Sequence, residues 1–84
     1  MLALRLLLRL FNMEIGIIGL GDMGKLYARE FSKQGYHING CDLPEKRSQL
    51  EEELKGTIQI LDGVAVARRS DLLIYSVEER ILEE

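Results

Sequence analysis

The sequence predicts an α/β domain built on a parallel, doubly wound sheet. Three observations carry that prediction. A five-residue strand pattern, Glu14–Ile18, runs straight into glycines at 19, 21 and 24, and a helical pattern starts at once behind them. Strand-like and helix-like stretches then alternate along the chain. A second strong apolar run, residues 71–77, closes the series.

The first strand and its glycines set the frame. Gly19, Gly21 and Gly24 have the spacing G-x-G-x-x-G. Each has a separate physical task. Gly19 permits the tight turn out of the strand. Gly21 leaves room for a pyrophosphate to approach the main chain, and Gly24 lets the helix pack close to the strand. The intervening Leu20, Asp22 and Met23 complete the loop. Free N–H groups at the helix start, helped by the helix dipole, suit a phosphate. Strand, glycine turn and helix in this order form the dinucleotide-binding fingerprint of a Rossmann-type sheet.

The first helix is expected over residues 22–34. Met23, Leu26, Tyr27 and Phe31 recur at helical spacing and are expected to face the sheet. Lys25, Arg29, Lys33 and Gln34 are expected largely in solvent, and Gly35 is the C-terminal stop. The second strand is His37–Cys41, with Cys41 a small buried residue. His37, the one histidine, stands at the end of that strand away from any cofactor, because ligands bind beyond the carboxyl ends.

Asp42 lies 23 positions after Gly19, at the end of the second strand. A carboxylate there can accept hydrogen bonds from the adenosine ribose hydroxyls. It can equally cap the helix that Pro44 begins. Asp42 favours NAD, since a 2′-phosphate would meet a like charge. Lys46 and Arg47 oppose that preference, because they could neutralise the phosphate. The residues leave NAD and NADP open. The same bases could instead pair with Glu51 on a solvated helix face.

A second helix is expected over residues 44–54, with a solvated run Glu51, Glu52, Glu53 and a stop at Gly56. A short strand follows over 57–61, a turn at Asp62 and Gly63, and one or two helical turns over 64–69. The apolar run 71–77 should lie beside the first strand across the switch point, so that Ser76 and Val77 flank the cofactor cleft. Residues 79–84 read as helical.

With 84 residues the chain can supply about the first half of such a sheet, so a fragment or truncated gene model is expected. The division is an extension over 1–12 and a partial dinucleotide-binding domain over 13–84. The extension is leucine-rich, holds Arg5 and Arg9 and has no acid. It reads as an organelle presequence, as a signal peptide interrupted by arginines, or, preferably, as an upstream extension with Met13 the natural start. The first reading would send the protein to mitochondria; the last leaves it cytoplasmic. Net charge is −3 with no long basic run in the folded part, which argues against nucleic acid. One cysteine excludes an internal disulfide and fits a reducing compartment. No metal-ligand cluster and no apolar run near the roughly 18 residues of a membrane span are present.

The segments G-I-I-G-L-G-D-M-G with Tyr27-Ala28, then Cys41-Asp42, then S-D-L-L-I-Y-S-V-E over 70–78 resemble the amino-terminal part of fungal NADP-dependent prephenate dehydrogenase. The glycine segment alone is shared with 6-phosphogluconate and 3-hydroxyisobutyrate dehydrogenases, whose relatives usually have a proline soon after the last strand. The resemblance implies oxidative decarboxylation of prephenate to 4-hydroxyphenylpyruvate with reduction of NADP, in tyrosine biosynthesis. It also implies a homodimeric parent enzyme. The histidine and arginine that such enzymes direct at substrate match no position here, so no catalytic residue is assigned and the chain alone is expected to be inactive. What carries over is the loop Gly19, Leu20, Gly21, Asp22, Met23 and Gly24, the acid Asp42, and the strand end Ser76-Val77. The resemblance tips the cofactor to NADP; Arg47 as the 2′-phosphate partner is read from its position and matches no family position. A non-catalytic nucleotide-binding module is the alternative from another class.

Overall fold

A computed structural model describes residues 13–76. The elements are β1 (Glu14–Ile18), α1 (Asp22–Lys33), β2 (His37–Cys41), a 3-10 turn (Pro44–Lys46), α2 (Arg47–Glu53), β3 (Gln59–Ile60), α3 (Gly63–Arg69) and β4 (Leu72–Tyr75). The four strands form one sheet in the order β3-β2-β1-β4, all pairs parallel. The chain winds outward from β1 to β3, then crosses back to place β4 on the other side of β1. The switch point therefore lies between β1 and β4.

Period-two alternation in β1 sorts the two faces. Ile15 and Ile17 join Ala28 of α1, Ile38, Ile60 and the pair Leu50 and Leu54 in one core cluster. Helices α1 and α2 thus share a face. On the other face a Cβ at Gly16 would lie 2.8 Å from both Ser70 Cβ and Val66 Cγ1, so α3 runs directly over β1. Val66 is fully buried there.

Helix α1 departs from expectation in the face it buries. Gly24 and Ala28 are its buried residues, with Phe31 packed at the core's margin. Met23, Leu26 and Tyr27 are exposed. A Cβ at Gly24 would overlap the carbonyl oxygen of Gly19. So close an approach admits only small side chains along the contact, and the larger apolar ones are displaced to the flanks. Lys25 also leaves its expected place in solvent: its Nζ is 2.9 Å from Glu53, which Arg29 approaches at 3.4 Å. Glu53 is thereby a bridge between the two helices rather than part of a purely solvated run.

Helix α1 ends as its sequence dictates. Gly35 takes φ +94°, its N–H donates to Ser32 O at 3.0 Å and that of Tyr36 donates to Phe31 O at 3.2 Å. This is the Schellman pattern, with its customary apolar contact. Here that contact is an edge-on stack of Phe31 and Tyr36, ring centroids 6.1 Å apart.

The later elements shift slightly. The stretch expected as one helix over 44–54 begins as a 3-10 turn and becomes α-helical at Arg47. Strand β3 has two residues instead of five, because the N–H groups of Thr57 and Ile58 both turn back to Leu54 O. Asp62 does more than turn the chain: its Oδ1 accepts from Ala65 N at 2.9 Å and caps α3. Strand β4 begins at Leu72, one residue into the expected run; Asp71 before it exchanges two bonds with Glu14, its N–H donating to Glu14 O and its carboxylate accepting from Glu14 N–H, both at 2.8 Å. Val77, the tail 79–84 and the extension 1–12 lie outside the described residues.

Candidate functional site

The carboxyl ends of β1, β2 and β4 meet around the glycine turn. Ile18 pairs with Cys41 on one side and with Tyr75 on the other. Beyond these pairs Gly19 N–H donates to Cys41 O at 2.9 Å, and Ser76 N–H donates to Ile18 O at 2.8 Å. The turn is thus held from both flanks by main-chain bonds that extend the ladder.

The three motif glycines are distinguishable by what the structure requires of them. Gly19 has φ +101°, and a Cβ there would crowd the Ser76 carbonyl, its carbon 2.9 Å away. Gly24 is required by packing, as above. Gly21 has φ −77° and ψ −160°, an extended conformation open to any residue. Backbone conformation therefore does not demand glycine at 21, and close approach of a ligand's pyrophosphate to the main chain gives glycine a use there. Gly21 is the N-cap of α1 and supplies no side chain to the first-turn N–H groups, and Asp22 and Met23 stand exposed in that turn. Those N–H groups have no partner inside the helix. A bare helix start beside a glycine of this kind fits a phosphate group.

Asp42 follows β2 and is half-buried. Its Oδ2 accepts from Leu20 N at 2.7 Å, and its Oδ1 accepts from Leu43 N at 2.7 Å. It does not cap the following 3-10 turn, whose N-cap is Leu43 with no side-chain bond. Leu20, placed in the loop by the sequence, sends its side chain into the core at 2% exposure. Arg47 stands one turn further on. It donates to Ile60 O at 3.2 Å and lies 3.5 Å from Glu51, which uses two of its five N–H donors. Ser76 stands at the end of β4, across the turn from Asp42. The structure therefore gathers Gly19, Leu20, Gly21, Asp22, Gly24, Asp42 and Ser76 at one end of the sheet.

Cys41 is buried, and burial, followed by the neighbouring Asp42 and Asp62 charges, pushes its thiol pKa up. It is a packing residue in this state, not a nucleophile. His37 begins β2 at the opposite end of the sheet from the turn. Among the described residues, no group of three or more His, Cys, Asp and Glu is placed to hold a metal ion, and no helix is long and apolar enough to cross a membrane.

Sequence reasoning missed two features. One is the double main-chain engagement of Asp42. The other is Gly16, where a side chain would collide with Ser70 and Val66. An isolated glycine inside a strand is a signal of close backbone approach and could have identified it.

A parallel sheet of order 3-2-1-4 with a glycine turn at its switch point defines the first part of a Rossmann-type dinucleotide-binding domain. Residues 14–84 match the family described as NADP oxidoreductase, coenzyme F420-dependent, and the chain belongs to that family. It is 41% identical over 73 residues to a protein of Schizosaccharomyces pombe named probable prephenate dehydrogenase (NADP+), a match covering 84% of this chain and 17% of the relative. It is 46% identical over 66 residues to prephenate dehydrogenase (NADP+) of Saccharomyces cerevisiae, covering 76% of this chain and 15% of that protein. The match thus spans about a sixth of either relative's length. No solved structure gives a significant match.

Proposed function

We propose that the chain is the cofactor-binding part of an NADP-dependent prephenate dehydrogenase. The carrying observation is the glycine turn, pinned between β2 and β4 at the switch point, with glycine at 21 where the backbone does not call for it. The names of the two fungal relatives supply the substrate and the cofactor's 2′-phosphate. In this reading Gly21, Asp22, Met23 and Gly24 receive the pyrophosphate through main-chain N–H groups, while Gly19, whose N–H is held by Cys41 O, shapes the turn. Asp42 lies on the ribose side, Lys46 and Arg47 offer positive charge to the 2′-phosphate, and Ser76 and Val77 border the nicotinamide side.

NADP when bound accepts a hydride, and loss of CO2 from prephenate makes the transfer favourable by aromatising the ring. The residues named here bind and orient; none of them is assigned a proton-transfer role. The enzyme as a whole is read as a cytoplasmic homodimer.

Titration calorimetry of the purified chain with NADPH and with NADH tests the binding half of this reading. Tighter NADPH binding that Gly21→Asp abolishes is expected; absence of binding to both overturns it. A chimera in which this chain replaces the matched segment of the Saccharomyces cerevisiae relative tests the substrate half. Retained prephenate oxidation with NADP is expected, and an inactive, well-folded chimera that still binds NADPH would remove prephenate from the reading.

A further inference from the structure

We propose that Asp42 is a positioning residue, a latch that holds the glycine turn in shape, and that its carboxylate does not discriminate NAD from NADP. The proposal rests on the dinucleotide reading of the turn. The ladder between β1 and β2 ends with Gly19 N–H on Cys41 O. One residue later the two chains part, and Leu20 N–H has lost its main-chain acceptor. Asp42 Oδ2 takes that place at 2.7 Å, bridging a sequence separation of 22 residues. The other oxygen is occupied locally by Leu43 N–H at the same distance. The carboxylate is thus oriented by two main-chain donors, one on each side of the divergence.

Two consequences follow for cofactor choice. The orientation of the acid is set by the turn, whichever dinucleotide is present. Both carboxylate oxygens are also engaged within the protein, so the acid serves the turn, and its like charge toward a 2′-phosphate is left for Lys46 and Arg47 to offset. An aspartate at this position and NADP use are then compatible. The Leu20 amide, next to a side chain buried to 2% exposure, would be left without an acceptor if Asp42 were removed.

The test is Asp42→Ala and Asp42→Asn in the 84-residue chain, read in two ways. Calorimetry with NADPH and NADH should show both affinities falling in Asp42→Ala by a common factor of about 10 or more, with their ratio kept. Amide hydrogen exchange in the ligand-free protein should show the Leu20 N–H protected in the wild type and fast in Asp42→Ala. Asp42→Asn, whose one carbonyl can still receive one of the two amides, should fall between them in both measurements. Loss of NADH affinity with NADPH affinity kept or improved would overturn the proposal and make Asp42 a reader of the ribose. Unchanged Leu20 exchange in Asp42→Ala would overturn it as well. If the wild type binds neither nucleotide, the dinucleotide reading fails, and Leu20 exchange alone still decides the latch.

Discussion

The two ends of the sheet are built on opposite plans. At the amino end, polar side chains satisfy one another. Asn39, 1% exposed, donates to Glu14 at 2.6 Å, and its Oδ1 lies 3.3 Å from the Ser70 hydroxyl, which donates to Val66 O. Arg69 is 3.4 Å from Glu14, and Asp71 receives the Glu14 N–H. At the carboxyl end, main-chain groups and the one carboxylate of Asp42 do the holding, and glycines and a bare helix start face outward. A concavity of about 350 Å³ exists at the amino end, lined by Glu14, His37, Gln59 and Arg69 among others. Its charged groups Glu14 and Arg69 already pair with each other. Affinity for an anion follows unsatisfied donors, not volume, so the binding end is the one with fewer side chains.

Gly24→Ala should break the carboxyl end most severely. Its Cβ would meet the Gly19 carbonyl, and main chain yields less readily than a side chain. A loss of about 3 kcal/mol of stability is expected, at the upper side of ordinary overpacking, together with loss of NADPH binding. Chemical denaturation and calorimetry measure the two effects. Stability preserved to within experimental error would show that α1 can lift from the turn without cost.

Gly16→Ala and Asn39→Ala address the other end. The first forces a methyl against Ser70 and Val66; the second leaves Glu14 without its buried donor. Each should cost about 1–3 kcal/mol while the dissociation constant for NADPH of the folded fraction stays unchanged. A tenfold change in that constant would show the two ends to be coupled. Gly35→Ala is milder still. No atom lies within 4 Å of its Cβ position, so only the positive φ opposes it. About 1 kcal/mol is expected from denaturation midpoints, again without effect on binding.

The contrast between the ends also explains what could be read from sequence. The carboxyl end is written in local patterns: glycine spacing after a strand, an acid at the end of the next strand, glycine after a helix. Those placed Gly19, Gly24, Gly35 and Asp42 correctly, and with them the parallel order of the sheet. The amino end depends on partners far apart in the chain, such as Asn39 with Glu14 and Ser70, and no local pattern announces them. Helix α1 failed for a related reason. Apolar periodicity selected Met23, Leu26 and Tyr27, but the distance of approach at Gly24 decided the face. Periodicity reports which residues prefer burial, while backbone proximity determines which residues fit.

The smallest effect lies between the ends, on the ion pairs that tie α1 to α2. The hydrogen bond from Lys25, with the Lys25 and Arg29 charges adding to it, lowers the Glu53 pKa from its ordinary 4.5. In the unfolded chain Glu53 takes up its proton around 4.5; in the folded chain it holds its charge to lower pH. Over that window the unfolded state binds more protons, so stability falls as pH falls. The contribution is fully present above pH 4.5 and disappears as pH drops through the folded value. Comparison of the wild type with Glu53→Gln by denaturation from pH 7 to pH 3 should therefore give two curves that converge in acid. The gap should also narrow at high salt, as it does for exposed pairs. A gap that stays constant through the acid window would mean that Glu53 contributes through packing between the helices and not through its charge.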